Sequence, residues 1–207
     1  MTQKPGKREK RAEHNRKKLL NAAMAVFSQK GFHKATIDEI CRRANLGKGT
    51  VYQYFDNKKE LFLGIVDSFA ADLGKSVESA VGAITDDLKR LETAITAYVQ
   101  FHAAHRSFYR LLVHEESSFA KEIHQRFRTE YFSHLRILED ILREGMKNAK
   151  MKKMNVRSAT FALVGICNSV IFRWLLSERN YSLRNEMPVI LEIFLRGICI
   201  RPSGKEA

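Results

Sequence analysis

Residues 36 to 61, TIDEICRRANLGKGTVYQYFDNKKEL, constrain this chain more than any other stretch. Thr36 followed three residues later by Glu39 has the spacing of a capping box, which predicts a helix starting at Ile37. Ile37, Ile40, Cys41 and Ala44 then fall at i, i+3, i+4 and i+7, one apolar stripe about two turns long. Asn45, Gly47 and Gly49 follow within five residues, a turn composition with room for positive φ. A second short helix, Thr50 to Phe55, presents Val51 and Phe55 to the first and turns Thr50, Tyr52, Gln53 and Tyr54 outward. Asn57 with Glu60 forms another N-cap pair and opens the next helix. Two short helices, a glycine-containing turn and an outer face of polar and aromatic side chains make a helix-turn-helix.

Charge points to the same partner. Residues 1 to 61 hold 15 Lys and Arg against 6 Asp and Glu, whereas the remaining 146 residues hold 21 against 17. The excess therefore sits with the helix-turn-helix, where neutralising phosphates would release counterions. Solubility alone requires no such asymmetry. Cys41, Cys167 and Cys199 lie far apart without C-x-x-C spacing, which fits small buried residues in a reducing cytoplasm. The charged N-terminus has no apolar stretch behind it, so a secretory signal is not expected. Residues 159 to 176 come nearest to a membrane span, but Asn168, Ser169 and Arg173 interrupt them, which favours a buried helix and no membrane partner.

Along the chain the periodicity predicts about nine helices and an all-α fold. Residues 1 to 7 read as a basic arm and residues 8 to 30 as the first helix, with Gly31 as its C′ cap and Phe32 folding back onto its end. Helices two and three complete a three-helix DNA-binding domain over residues 1 to 57. A larger helical ligand-binding and dimerisation domain is expected over residues 58 to 207. Its fourth helix starts near Lys58, with Leu61, Phe62, Ile65, Phe69 and Leu73 on one stripe. A fifth follows Thr85, a short sixth carries Phe108, Leu111 and Leu112, and a long seventh spans Phe119 to Asn148. The eighth, Val156 to Ser177, is apolar almost all round, and the ninth, Asn185 to Ile198, has Pro188 in its first turn. One chain of this size cannot cover both of the last two helices, so they are expected to pair with their two-fold mates in a homodimer.

The motif resembles the DNA-binding segment of the TetR family of bacterial transcriptional regulators. The turn and second helix of that family read K-G-T-[LV]-Y-x-[YH]-F and then [KN]-K-x-x-L. Here they are Lys48-Gly49-Thr50-Val51-Tyr52-Gln53-Tyr54-Phe55 and Asn57-Lys58-Lys59-Glu60-Leu61. The likeness covers roughly the first 65 residues. It implies a cytoplasmic homodimer that binds a palindromic double-stranded operator, acts as a repressor and is released by a small effector.

Base edges are read from the N-terminal end of the second motif helix, which makes Thr50, Gln53 and Tyr54 the expected readers. Gln53 suits adenine. Thr36 caps helix two and has a hydroxyl to offer a phosphate. By position, the resemblance implies backbone contacts from Lys48, Gly49, Tyr52 and Lys58. Packing within the small domain is the competing use of Tyr52 and Tyr54.

The larger domain is expected to take a largely apolar ligand between helices five, seven and eight. Phe101, His102, His105, Phe127, Tyr131, Phe161 and Asn168 are the candidate lining. Most aromatics there serve the core, and a lone Asn commonly settles helix register. His102 and His105, with His114 near Glu115 and Glu116, have no further ligand at a metal-site spacing, so neither metal nor cofactor is expected. No Ser-His-Asp set, nucleotide loop or HExxH run suggests an enzyme. Two alternatives stay open, namely a DNA-binding regulator without small-molecule input and a helical enzyme that has acquired a DNA-binding head.

Overall fold

The computed structural model describes residues 6–126, 132–177 and 181–199. Those residues form nine α-helices and no strand, apart from a single antiparallel bridge between Met151 and Cys199. Two compact units emerge. The first comprises Met1–Phe69 with Arg110–Phe127, and the second Ala70–Tyr109 with Arg128–Ala207.

In the first unit, α1 (Lys7–Lys34) is interrupted at Gly31, whose φ of 77° only glycine adopts without cost. The break turns Phe32 back, and its ring meets Phe27 at 5.4 Å. This is the C-cap contact expected of the pair. The N-terminus of the helix starts at Lys7, where the Glu9 carboxylate accepts the Gly6 N–H at 2.7 Å. Of the expected basic arm, residues 1 to 5 lie outside the described residues.

α2 (Ile37–Ala44) begins at the capping box read from the sequence. The Thr36 hydroxyl accepts the Glu39 N–H, and the Glu39 carboxylate accepts the Thr36 N–H. α3 (Lys48–Tyr52) is shorter and starts earlier than the expected Thr50–Phe55, because Thr50 N–H already bonds to the Gly47 carbonyl. α4 (Lys58–Val81) opens on Asn57, whose side chain accepts the Glu60 N–H at 2.9 Å.

The core of this unit is aromatic. Phe27, Phe32, Phe62 and Phe119 meet with centroids 4.7 to 6.0 Å apart, mostly edge to face. Phe119 comes from α6 (Arg106–Arg126), far along the chain, and its own backbone leaves helical geometry at φ −133°, ψ 20°. Gly64 is where α4 packs closest: a Cβ there would lie 2.6 Å from the Phe55 ring.

In the second unit, α5 (Asp87–Ala104) packs against α7 (Phe132–Lys147) and α8 (Val156–Leu176). A 3-10 turn (Leu183–Glu186) leads into α9 (Met187–Ile198). The expected boundary between a short sixth helix and a seventh starting at Phe119 coincides with the kink at that residue inside Arg106–Arg126. Of the expected seventh helix, residues 127 to 131 lie outside the described residues, and α7 is described from Phe132. α8 is the one described helix long and apolar enough to cross a membrane, and 44% of its most apolar window is buried.

Candidate nucleic-acid interface

Everything that shapes α3 is local. α2 ends at Asn45 in the left-handed region (φ 51°, ψ 50°), with its N–H on the Arg42 carbonyl and the next N–H on Cys41. Asn is the side chain besides Gly that tolerates this conformation. Of the three turn residues with room for positive φ, Asn45 takes it, and Gly47 is extended at φ −70°. Gly47 and Gly49 serve differently: a Cβ on either would meet nothing within 4 Å, so the start of α3 is left bare. Val51 beneath it is fully buried and Phe55 nearly so.

The outer face carries the expected readers. Tyr52 is 50% exposed, too much for a ring recruited to the core, and Gln53 and Lys48 are exposed beside it. Gln53 ends the helix but keeps right-handed geometry (φ −72°, ψ −22°), its N–H on the Gly49 carbonyl. Thr50 and Tyr54 are half-buried, and Thr36 is exposed at the start of α2.

Ion pairs brace this face. Lys48 sits 2.8 Å from Asp38, which holds its ammonium above the usual lysine pKa. Lys30 bonds to Glu39 and, with the Thr36 N–H, holds that carboxyl below its usual range. Asp38 and Lys30 were missed in the sequence, because each pairs with a residue about ten positions away and no helical spacing links them.

Lys58 is differently employed. Its ammonium donates to the carbonyls of Phe32 (2.8 Å), His33 (3.2 Å) and Ala35 (2.9 Å), and lies 4.6 Å over the Phe32 ring. All three donors are thus engaged at the end of α1, where a cation suits the helix dipole. Arg16, another residue not singled out, lies 5.5 Å over the Phe55 ring, so α1 borders the chain just after α3.

The expected effector residues described in the second unit are each engaged by a neighbouring group. His102 is buried, its Nδ1 2.8 Å from the Tyr98 carbonyl, and burial pushes its pKa down to about 4. It is a neutral core histidine. His105 is exposed and stacks on Phe101 at 4.1 Å. The Tyr98 hydroxyl donates to Asn168 Oδ1 at 2.7 Å and ties α5 to α8, the register use of a lone Asn. Phe161 is exposed on α8, with Arg157 5.9 Å from its ring. Phe127 and Tyr131 lie outside the described residues. An apolar pocket of about 10 Å³ lies between α4, α5 and α7, lined by Leu73, Val77, Ala94, Tyr98, Leu135 and Leu138. It has room for about one water molecule.

Among the described residues, α8 and α9 leave several large apolar side chains exposed. Phe161, Phe172 and Leu176 on one, with Val189 and Ile193 on the other, are 41 to 62% exposed. Gly165 and Gly197 face open space within the same two helices.

Comparison with known proteins agrees with this architecture. Residues 19–65 match the profile described as bacterial regulatory proteins, tetR family, and residues 85–198 match that of the tetracyclin repressor-like C-terminal domain. The fatty acid metabolism regulator protein of Bacillus subtilis (strain 168) is 24% identical over 188 residues, 87% of this chain and 93% of the relative. The transcriptional activator FasR of Mycolicibacterium smegmatis is 36% identical over 100 residues, 48% of this chain and 46% of its own. Among solved structures, FadR from Bacillus subtilis in complex with stearoyl-CoA superposes with a TM-score of 0.77 at 21% identity, covering 87% of this chain and 98% of that one.

Proposed function

This chain belongs to the TetR family of bacterial regulatory proteins, and on that premise we propose that it is a homodimeric, ligand-responsive regulator, acting most simply as a repressor at a palindromic operator. The exposed face of α3 carries the reading. A capped and ion-paired pair of short helices lifts Thr50, Tyr52 and Gln53 away from a closed core, as groove insertion requires. Gln53 and Thr50 would meet base edges, with Tyr54 beside them. Lys48, Tyr52, Thr36 and the Gly49 N–H would hold phosphates. Lys58 enters this set as the clamp that holds the start of α4 against the end of α1. Residues 1–57 do the reading in this proposal, and residues 58–207 supply the dimer face and the effector site, within the cytoplasm where the DNA lies.

The dimer would form through the exposed apolar faces of α8 and α9. Such area left to water is costly, and two-fold pairing removes it. For the effector, a long-chain acyl thioester is the class to try first. One relative is named for fatty acid metabolism, and a solved neighbour holds stearoyl-CoA. The pocket between α4, α5 and α7 is apolar. At about 10 Å³ it must open to admit a chain, so ligand would select an expanded bundle and shift the population away from the DNA-binding geometry. The second reading is a regulator without small-molecule input.

Selecting genomic fragments with the purified protein, with and without stearoyl-CoA, tests both. Recovery of a shared palindrome, released by the acyl thioester, is the expected result. A palindrome whose occupancy no acyl thioester changes leaves the second reading. Fragments with no shared sequence would overturn specific regulation.

A further inference from the structure

The apolar pocket of the second unit has one hydrogen-bonding side chain in its described wall. Gly74 and Ala94 contribute almost no bulk there, three leucines and Val77 are aliphatic, and Tyr98 alone carries a polar group. Ala94 and Tyr98 stand one turn apart on α5, so both face the pocket from the same side of that helix.

Tyr98 is pinned where it stands. It is 5% exposed, and its hydroxyl donates to Asn168 Oδ1 of α8 at 2.7 Å. The His102 ring, one turn along α5, packs 4.5 Å from the phenol. A leucine at position 98 would fill a core without help from another helix. A buried phenol cannot, because its hydroxyl costs free energy unless a partner accepts it. The ring and Asn168 are therefore placed together or displaced together.

Size decides what that pairing does. The pocket holds about 10 Å³, whereas a dry cavity that takes a benzene-sized group has about 150 Å³. Leu73, Val77, Leu135 and Leu138 are each at most 6% exposed, so no open channel leads past them. Room for an acyl chain has to come from a side chain that leaves, and Tyr98 is the bulkiest in the wall. Its two side-chain torsions are enough to swing the ring aside. Its departure is also the one opposed by a directional bond, since Asn168 Oδ1 loses that donor.

We propose that the Tyr98–Asn168 hydrogen bond is the latch of the effector pocket. Made, it keeps the phenol in the space that an acyl chain would take and ties α5 to α8. Broken, it lets the ring turn out and the chain enter. Asn168 belongs to the helix whose exposed face is the proposed dimer surface, so admitting the ligand and loosening that helix are one event. The latch rests on the proposed effector class.

The test uses the full chain, Tyr98→Phe, Asn168→Leu and the double variant. Calorimetry gives the affinity for stearoyl-CoA, and anisotropy gives its release of a duplex that the protein enriches. Each single change leaves one polar partner mismatched in the shut state. Each should therefore ease opening and tighten stearoyl-CoA about two- to tenfold. The concentration that releases the duplex should fall in the same proportion. The double variant replaces both partners by apolar groups of similar shape, so its affinity should return toward that of the unaltered protein. Chemical denaturation identifies a variant that fails to fold, and the other single change then carries the test. Weaker binding in the single variants would make the pair a ligand anchor and overturn the latch. Unchanged affinity with lowered stability would make the bond purely structural and overturn it too, as would a double variant that tightens further than either single. Those outcomes leave the effector reading standing. Absence of stearoyl-CoA binding to all four proteins overturns that reading and the latch with it.

Discussion

The two units solve opposite problems. The first hides an aromatic core of four phenylalanines and turns cations, hydroxyls and amides outward. The second packs a mixed interior, with Tyr98, Phe108, Trp174 and Phe194 buried among leucines, isoleucines and valines, and leaves phenylalanine, leucine and isoleucine in water along α8 and α9. One surface suits a hydrated polyanion and the other, in the proposed reading, a copy of itself. The contrast also separates two kinds of specification. Local caps and turns set the first unit's outer face, whereas in that reading the second unit's face acquires a purpose only through assembly.

The largest effect should come from breaking the assembly. Leu176 and Ile193 are 62% and 58% exposed, so Leu176→Asp with Ile193→Asp should leave the fold intact and yield a monomer by light scattering. Operator affinity should then fall about 10²–10⁴-fold, because the second reading head no longer binds intramolecularly. A variant that stays dimeric would place the interface elsewhere. Next, Phe62→Ala empties the centre of the aromatic cluster, where Phe62 is wholly buried. It should cost about 3–5 kcal/mol in chemical denaturation, with the loss concentrated in the first unit.

His102 sharpens the contrast from the other side. Burial holds its pKa at about 4 against 6.5 in the unfolded chain. Its contribution is complete above about pH 6.5 and is lost as pH falls toward 4, about 3 kcal/mol in all. His102→Gln should flatten the pH dependence of unfolding in that window while operator recognition at neutral pH is kept. Smaller still, Gln53→Ala should relax preference at one base pair by about 1–3 kcal/mol. Lys48→Ala should instead weaken all sequences alike. Identical behaviour of these two variants, measured across single-base operator changes, would refute the separate roles.

Legibility in the sequence followed the same divide. Thr36 with Glu39, Asn57 with Glu60, and Gly31 before Phe32 each act within three residues, and each stands where local chemistry set it. The turn after α2 was legible as a group of Asn and Gly, and Asn45 is the member that takes the left-handed conformation. Lys58 showed only a charge; its engagement by three carbonyls of residues 32 to 35 depends on how α4 meets α1. His102 and Asn168 looked like polar guests of a pocket, yet each is satisfied by a neighbouring backbone or hydroxyl. Which turn of α5 faces α8 is a matter of packing that composition does not record. The change of helix at Phe119 was legible, because the apolar stripe after Leu112 lapses before it resumes there.

Phe119 completes the first unit's core with a side chain from α6, fifty residues beyond the end of that unit's first segment. Glu115 joins it there, accepting the Phe32 N–H at 3.2 Å. Modularity is limited accordingly. A hybrid regulator spliced within α4 would graft a foreign α6 onto the head and leave the phenylalanine cluster and the Phe32 N–H to whatever that helix offers. Swapping specificities between relatives therefore means transplanting two separated segments together, residues up to 69 and residues 110 to 126, so that recombination at a single crossover is poorly tolerated here.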